Sequence, residues 1–358
     1  MLEVKGLWAG YSSPVLQGVS FSVAQGELAA ILGRNGSGKS TLLRALTGSA
    51  KVSQGQVLIQ GRDCLPLSAR QRARHMALLP QVIAPSSGLR AEEIIEMGRY
   101  PWESPLRPGG ARSRQLVHQA AREFGVEHLL DQDCSVLSQG QRQLVQLARV
   151  VVQDAPVLLL DEPLSNLDAR LRLQTREEIR KIQRATGITT VFVTHDQEEA
   201  MSISDRIVVM KEGVLQQIGQ PQQVYDDPEN LFVAKFLGTP PINVFDGRVQ
   251  GGMLYLGDAA VLPVPGVADQ EVTVGIRPEG FLPREDGALS CALSGVEVMG
   301  RDVSVVASHP ACQAPVLRAI LSAGTQVDQG GETVRFDLKP EKVFLFRPHT
   351  GERIRRAL

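Results

Sequence analysis

The chain has 358 residues, a length that predicts two domains rather than one hydrophobic core. Its formal net charge is −1, so no overall basic field favours binding to nucleic acid or to an anionic membrane surface. The cysteines lack Cys-x-x-Cys spacing, which disfavours structural zinc and fits a reduced, cytosolic protein. No apolar run approaches the roughly 18 residues that cross a bilayer, so we expect any membrane attachment to come through a partner.

The first informative segment is a glycine-rich loop between an apolar strand and a helix. The strand is predicted at residues 28–32, and the apolar helical face after the loop ends at Gly48. The glycines let successive N–H groups point at phosphate oxygens, Lys39 brings a cation to the β- and γ-phosphates, and the Ser40 hydroxyl can bind Mg²⁺. The segment predicts a site for a nucleoside triphosphate. Its residues are Gly33, Arg34, Asn35, Gly36, Ser37, Gly38, Lys39, Ser40 and Thr41.

A second anion site is predicted further along the chain. Ser138 is a natural N-cap for a helix whose apolar positions recur at i, i+3, i+4 and i+7. Gly140 and Gln141 follow, so a serine hydroxyl, a glycine backbone and a helix N-terminus converge there. A plain helix cap explains Ser138 alone, but it does not explain the two residues that follow.

Two buried strands are predicted to carry polar side chains to the carboxyl edge of a parallel sheet. The apolar run 157–160 ends in Asp161 and Glu162, and the strand 189–194 is followed by His195. Asp161 is placed to hold Mg²⁺ directly or through water, and Glu162 to polarise an attacking water. Behind a phosphate loop, these residues favour a site that hydrolyses the nucleotide.

With these elements in order, residues 1–235 resemble the ATP-binding cassette (ABC) ATPases. The family signature is usually Leu-Ser-Gly-Gly-Gln, and here Gln139 replaces one of its glycines. The resemblance implies an α/β fold: a P-loop NTPase cassette with a parallel-sheet core and a helical subdomain at about 82–150. It also implies ATP and Mg²⁺ as cofactors.

The same resemblance implies roles for individual residues. Tyr11 would stack on adenine, Gln81 would sense Mg²⁺ and couple to a membrane partner, and His195 would contact the γ-phosphate. The implied catalytic residues are Glu162 and His195, and the implied magnesium ligands are Ser40, Gln81 and Asp161. The implied nucleotide-binding set is Tyr11, residues 33–41, Gln81, Ser138, Gly140, Gln141 and Asp161.

The resemblance further implies a head-to-tail dimer. The loop 165–168 would cross the dimer interface, and ATP would lie between residues 33–41 of one subunit and residues 138–141 of the other. Closure of the dimer on ATP and its opening after hydrolysis would then drive transport.

After a linker at 239–243, the sequence changes to short β-like runs separated by turn residues. Segments 275–279 and 336–346 resemble the oligonucleotide-fold (OB)-like, TOBE-type regulatory domain of sugar-importer ATPases. We therefore predict a cassette at 1–235 and a small β-barrel at 236–358 that serves regulation or dimerisation. Its strands lack interleaved basic and aromatic residues, so no nucleic-acid partner is predicted. The predicted strands are 272–276, 296–298, 303–307, 334–338 and 343–346.

The predicted function is that of the ATP-hydrolysing, energy-coupling subunit of a bacterial ABC importer. Residues 76–102 resemble the iron-siderophore and cobalamin importer ATPases, whereas residues 164–201 resemble the sugar-importer branch. The substrate is therefore either of the sugar or polyol type or of the iron-siderophore type. The alternatives are a soluble cassette protein acting on ribosomes or DNA, and an inactive regulatory subunit.

The predicted partners follow from that function. They are a second cassette in a homodimer, separate transmembrane permease subunits and, indirectly, an extracytoplasmic substrate-binding protein. The predicted location is the cytoplasmic face of the cell membrane, as a peripheral subunit.

Overall fold

The computed structural model describes residues 1–81, 88–103, 110–165, 167–322, 324 and 331–356. The chain forms two compact units, Met1–Pro221 and Gln222–Leu358. Asn166, which belongs to the predicted interface loop, lies outside the described residues, as do residues 82–87 at the start of the predicted helical subdomain. Within the described residues, no helix is long and apolar enough to cross a membrane.

The first unit alternates strands and helices. Its strands are β1 Leu2–Gly10, β2 Pro14–Val23, β3 Leu28–Leu32, β4 Lys51–Ile59, β5 Arg62–Asp63, β6 Met76–Leu79, β7 Val157–Asp161, β8 Thr189–Thr194, β9 Arg206–Lys211 and β10 Val214–Gly219. Its helices are α1 Lys39–Leu46, α2 Ala69–Arg72, α3 Ala91–Glu96, α4 Ala111–Glu123, α5 Gln139–Val152, α6 Ala169–Thr186 and α7 Gln197–Ile203, with 3₁₀ turns at Met97–Arg99 and Glu127–Leu129.

The central sheet has the strand order β10-β9-β3-β8-β7-β6. Strands β3, β6, β7, β8 and β9 run parallel, and β10 pairs antiparallel with β9. Every residue of β3 and of β8 is buried, as expected for parallel strands covered on both faces. Because β3, β8 and β7 are neighbours, the segments that follow them meet at one edge of the sheet. A second, antiparallel sheet has the order β2-β1-β4-β5.

The described part of the helical region consists of α3, α4 and α5. Both α3 and α4 pack against α5. Ser138 caps α5 in a capping box: its hydroxyl accepts from Gln141 N at 3.3 Å, and its backbone N–H donates to Gln141 Oε1 at 2.9 Å. The predicted N-cap is confirmed.

Two short helices open the second unit: α8, Pro221–Asp226, and α9, Leu231–Phe236. Pro221, the first residue of α8, is the last residue of the first unit. Two antiparallel sheets follow, with orders β13-β12-β11-β14-β20-β21 and β15-β19-β16-β17-β18, and they share one hydrophobic core. All five predicted strands are confirmed, and the unit is all-β apart from short helical segments. Its strands are β11 Asn243–Gln250, β12 Met253–Leu256, β13 Ala259–Pro263, β14 Gln270–Ile276, β15 Phe281–Pro283, β16 Leu289–Met299, β17 Asp302–Ser308, β18 Leu317–Ser322, β19 Thr333–Leu338, β20 Val343–Phe346 and β21 Arg353–Ile354.

Candidate nucleotide-binding site

The glycine-rich loop joins β3 to α1, as predicted. Helix α1 begins at Lys39, and its N-cap, Gly38, has φ of 99°, in a region that side chains with a Cβ rarely enter. The side chains of Leu42, Leu43 and Leu46 are buried on the sheet side of α1. The loop is thereby fixed between a buried strand and a buried helix, with the helix N-terminus next to it.

The Lys39 side chain is folded over the loop. Its Nζ donates to Gly33 O at 2.7 Å and to Arg34 O at 3.1 Å. Burial lowers the pKa of this ammonium, whereas the nearby charges of Glu162 and Asp161 act in the opposite direction. The loop carbonyls thus hold the cation, and it feels the charges of the two acids.

Asp161 and Glu162 end strand β7, as predicted. The Ser40 hydroxyl donates to Asp161 Oδ1 at 3.4 Å. Burial, and then the neighbouring charge of Glu162, raise the pKa of the Asp161 carboxyl above its usual range. A bound cation would offset this accumulation of negative charge.

Glu162 has φ of 45°, a left-handed conformation that is unusual for a residue other than glycine. The strand β8 holds it there, because Glu162 N donates to Val193 O at 2.9 Å. The Ser165 hydroxyl donates to Glu162 O at 2.9 Å from the other side. Such backbone strain persists where surrounding structure fixes it, and it is frequent at active sites.

Three predicted site residues meet at the Glu162 carboxylate. His195 Nδ1 lies 3.1 Å from Glu162 Oε2, and Gln81 Nε2 donates to the same oxygen at 2.9 Å. These contacts join the ends of β6, β7 and β8. The structure therefore brings an acid, a histidine and an amide to one point beside the phosphate loop.

The site opens into a cleft of about 540 Å³, a size suited to a small-molecule ligand. Two of the lining residues, Val15 and Ser165, are not among the predicted site residues, although Ser165 belongs to the predicted interface loop. Val15 comes from β2 of the antiparallel sheet, and its position depends on a strand pairing that no local motif indicates. The lining residues are Val15, Asn35, Gly36, Gly38, Lys39, Ser40, Thr41, Gln81, Glu162, Ser165 and His195.

Tyr11 lies beside α1 rather than in the lining of this cleft. The residue is 54% exposed, and its hydroxyl accepts from Arg44 Nη1 at 2.9 Å. Arg44 was not among the predicted site residues. It lies on α1 with Lys39 and Ser40, so the contact ties the exposed aromatic ring to the helix that follows the phosphate loop.

Ser138, Gly140 and Gln141 are not among the residues that line the cleft. They lie at the start of α5, where an added Cβ on Gly140 would come within 2.3 Å of Leu171 Cδ2 on α6. The start of α5 thus lies close to α6, and a larger residue at position 140 would require the Leu171 side chain to move. The predicted second anion site is therefore separate from the first within one chain.

The donor atoms at the cleft suit Mg²⁺. Among the residues that the structure describes, no group of three or more histidine, cysteine, aspartate or glutamate side chains could hold a metal. Ser40 and Asp161 supply neighbouring oxygens, and burial, followed by the charge of Glu162, raises the pKa of Asp161. Mg²⁺ is usually bound by one or two carboxylates together with substrate phosphates, so these few oxygens fit it.

The fold and the site define a class of protein. A glycine-rich loop between β3 and α1, acids after β7 and a histidine after β8 form a P-loop nucleotide-binding cassette. The family model described as ABC transporter matches residues 16–165, and the model described as CysA C-terminal regulatory domain matches residues 243–281.

Curated relatives extend the match to nearly the whole chain. The sn-glycerol-3-phosphate import ATP-binding protein UgpC of Paracoccus denitrificans is 36% identical and covers 98% of both chains. The diacetylchitobiose uptake system ATP-binding protein MsiK of Streptomyces coelicolor is 35% identical and covers 97% of both. The ADP conformation of MJ1267, an ATP-binding cassette of an ABC transporter, is a structural match with a TM-score of 0.58 and 25% identity; it covers 65% of this chain and 97% of that one. The chain belongs to the ABC transporter family, among its ATP-binding subunits, and it is an ABC-type ATPase.

Proposed function

We propose that this chain hydrolyses ATP to drive the uptake of a sugar- or polyol-type solute through separate transmembrane permease subunits. The observation that carries the proposal is the cluster of Lys39, Asp161, Glu162 and His195 around the phosphate loop, in a chain similar to import ATP-binding proteins over almost all of its length. The protein would act at the cytoplasmic face of the membrane, with an extracytoplasmic substrate-binding protein delivering the solute.

The geometry supports a separate chemical role for each group of residues in the cleft. Residues 33–41 would hold the phosphates, and Ser40, Asp161 and Gln81 would hold Mg²⁺. The cation would neutralise charge on the phosphates. Glu162 would take a proton from the attacking water, and His195 would donate to the γ-phosphate and hold the Glu162 carboxylate in place.

A second copy of the chain would complete each site. Ser138, Gly140 and Gln141 lie outside the cleft of their own chain, and the Ser138 hydroxyl at a helix N-terminus suits a phosphate. In a head-to-tail homodimer, these residues would cover the ATP held by residues 33–41 of the partner. The loop 165–168, of which Asn166 lies outside the described residues, would lie in that interface.

Domain organisation is proposed as a cassette at 1–235 and a regulatory or dimer-forming domain at 236–358. The matched regulatory-domain model at residues 243–281 supports the second assignment. The compact units of the structure divide earlier, between Pro221 and Gln222.

The names of the relatives favour the sugar or polyol type over the iron-siderophore type. Proteins named for import of sn-glycerol-3-phosphate, diacetylchitobiose and sulfoquinovosyl glycerol match 95% or more of this chain. A transporter titled as a putative metal-chelate type matches at 23% identity, which supports the fold alone. The resemblance of residues 76–102 to siderophore importers stays a prediction.

Complementation tests the proposed transport. A bacterium without its glycerol-3-phosphate import ATP-binding protein receives this chain, and uptake of labelled sn-glycerol-3-phosphate is measured; disaccharide uptake is measured in a matched strain. We expect uptake to return with the natural chain and to stay at background with Lys39→Ala. Uptake of ferric siderophores alone, in a matched siderophore-import strain, would reject the sugar or polyol assignment. Co-purification with ribosomes or DNA rather than a permease would favour the soluble alternative.

Tyr11 provides a test of nucleotide placement. Stacking of a base on an aromatic ring is worth about 1–3 kcal/mol, so Tyr11→Ala should raise the Kd for ATP by roughly tenfold. Tyr11→Phe keeps the ring and loses only an exposed hydrogen bond to Arg44, so its Kd should stay within about threefold. Isothermal titration with a non-hydrolysable ATP analogue measures both. Equal losses in the two variants would contradict a stacking role.

A further inference from the structure

Arg172 joins two segments that are far apart in the sequence. It lies in the first turn of α6, and its Nη2 donates to Leu167 O at 3.3 Å, in the segment that precedes the helix. Its Nη1 lies 3.6 Å from Asp196 Oδ2, and its Nε lies 3.8 Å from Glu199 Oε1. One guanidinium therefore contacts a carbonyl before α6 and two carboxylates at the start of α7.

Glu199 continues this network into the core. It is only 4% exposed, and its Oε2 accepts from the Thr194 hydroxyl at 2.6 Å. The same hydroxyl accepts from Asp196 N at 3.0 Å. Burial raises the pKa of the Glu199 carboxyl, while Arg172 acts in the opposite direction.

Arg172 contacts Asp196 and Glu199 contacts Thr194, and these are the residues on either side of His195 in the sequence. Asp196 also caps α7, because its Oδ1 accepts from Glu198 N at 2.8 Å and from Glu199 N at 3.1 Å. The backbone of His195 is thus fixed on both sides, while its ring reaches Glu162. The planar guanidinium makes one hydrogen bond and two ion pairs from three different nitrogens, whereas the ammonium of a lysine is a single point charge.

We propose that Arg172 is a positioning residue for His195, which it ties, through Asp196 and Glu199, to the segment in front of α6. The proposal rests on the proposed function, in which His195 acts on the γ-phosphate. Because the segment before α6 is the proposed dimer contact, movement there on closure would reach the histidine directly. No contact of Arg172 with the nucleotide is needed for this role.

Measuring both kcat and the Kd for ATP distinguishes a role of Arg172 in positioning His195 from a role in nucleotide binding. A displacement of about 1 Å in a catalytic group can cost roughly a hundredfold, so Arg172→Met should lower kcat by about ten- to a hundredfold. Its Kd for ATP should stay within about twofold, because Arg172 does not line the cleft. Arg172→Lys should recover part of kcat. Arg184→Met, which removes an exposed arginine from the last turn of the same helix, is the matched control and should keep the natural kcat.

A double variant tests whether lower stability, rather than lost positioning, causes the lower kcat of Arg172→Met. Arg172→Met alone leaves the buried Glu199 charge without its cation, which lowers stability. Adding Glu199→Gln removes that charge, so the double variant should regain thermal stability without regaining kcat. Recovery of kcat along with stability would overturn the proposal, as would a kcat of Arg172→Met within about twofold of the natural value.

An NMR measurement that does not depend on ATP hydrolysis tests the role of Arg172 independently of the proposed function. In protein labelled with ¹⁵N-histidine, the imidazole signals of His195, identified by their loss in His195→Gln, should shift in Arg172→Met. The other histidine signals should stay in place. Unmoved His195 signals would overturn the proposal even if Glu162 proves to be the base. Full ATP turnover in Glu162→Gln would instead reject the role given to Glu162. The His195 signals would still show whether Arg172 positions the histidine.

Discussion

Glu162→Gln should lower ATP turnover by on the order of a hundred- to ten-thousandfold, the range that a general base contributes. The amide has nearly the shape of the carboxylate. With its carbonyl oxygen at the position of Oε2, the amide can accept both from Gln81 and from a protonated His195 Nδ1, so the two contacts that converge on this oxygen can persist. What the variant lacks is an oxygen basic enough to take a proton from water.

Binding should survive the same change. The Kd for ATP should stay within about threefold, because Lys39, Ser40 and the loop backbone are unaltered. In the presence of Mg²⁺ and ATP, light scattering should show the variant accumulating as a dimer, since the step that reopens the sites is blocked. Glu177→Gln, on the exposed side of α6, is the control and should turn over normally. Natural turnover in Glu162→Gln would show that another group activates the water.

The site residues that could be predicted from sequence are those that directly follow a strand of the central sheet. In a parallel sheet, a polar residue directly after an apolar run must lie at the carboxyl edge. That rule predicts that Asp161, Glu162 and His195 lie at one edge, and the glycine-rich loop after β3 predicts that Lys39 lies there too. Gln81 was predicted through family resemblance alone, and its bond to Glu162 shows that it reaches the same point.

Contacts between distant side chains could not be predicted in this way. Arg172 and Glu199 lie on two different helices, and each alone reads as a charged residue on an amphipathic helix face. Their pairing depends on how α6 and α7 pack, which hydrophobic periodicity does not specify. The Arg44 contact to Tyr11 is of the same kind, because it depends on the hairpin before β3 folding back over α1.

The second unit shows the same limit at the level of domains. The change in composition after residue 235 led to a predicted boundary there, yet the compact unit of the structure begins at Gln222. Two short helices, α8 and α9, lie in this stretch, and the strands of the unit follow them. The buried Arg277 side chain, the ion pair of Asp226 with Lys342 and the apolar cluster of Ala234 with Phe344 all tie this stretch to the second unit, and no local sequence pattern indicates these contacts.

Arg277→Met should lower the free energy of unfolding of the second unit by about 3–5 kcal/mol, because buried acceptors would lose their donors. Arg277 is 0% exposed. Its Nη1 donates to Ala234 O at 3.0 Å and also to Leu237 O, and its Nη2 donates to Tyr225 O at 2.7 Å. The guanidinium carbon lies 3.8 Å from the centre of the Tyr225 ring. One arginine thus supplies the donors for three carbonyls of the α8–α9 segment.

The charges around Arg277 make its loss costly. Tyr225 donates its hydroxyl to Glu279 Oε1 at 3.1 Å, and burial raises the pKa of Tyr225 to about 12. Without the guanidinium, the carboxylates of Glu279 and Asp226 would depend on their ion pairs with Lys342. Arg277→Lys should fall between the natural chain and Arg277→Met, since an ammonium keeps the charge but cannot reach all three carbonyls.

Hydrogen exchange of the full-length protein, followed by mass spectrometry, locates the effect. In Arg277→Met, peptides covering residues 225–237 should lose protection together with strand β14, whereas peptides from β3 and β8 should keep theirs. Arg284→Met is the matched control, because that arginine belongs to the same unit and pairs with Asp337 at an exposed position. Unchanged protection of residues 225–237 would show that these helices are held by their apolar contacts alone. Loss of protection in 225–237 and β14, with β3 and β8 unchanged, would establish that the buried guanidinium stabilises α8 and α9 against the strand that precedes it.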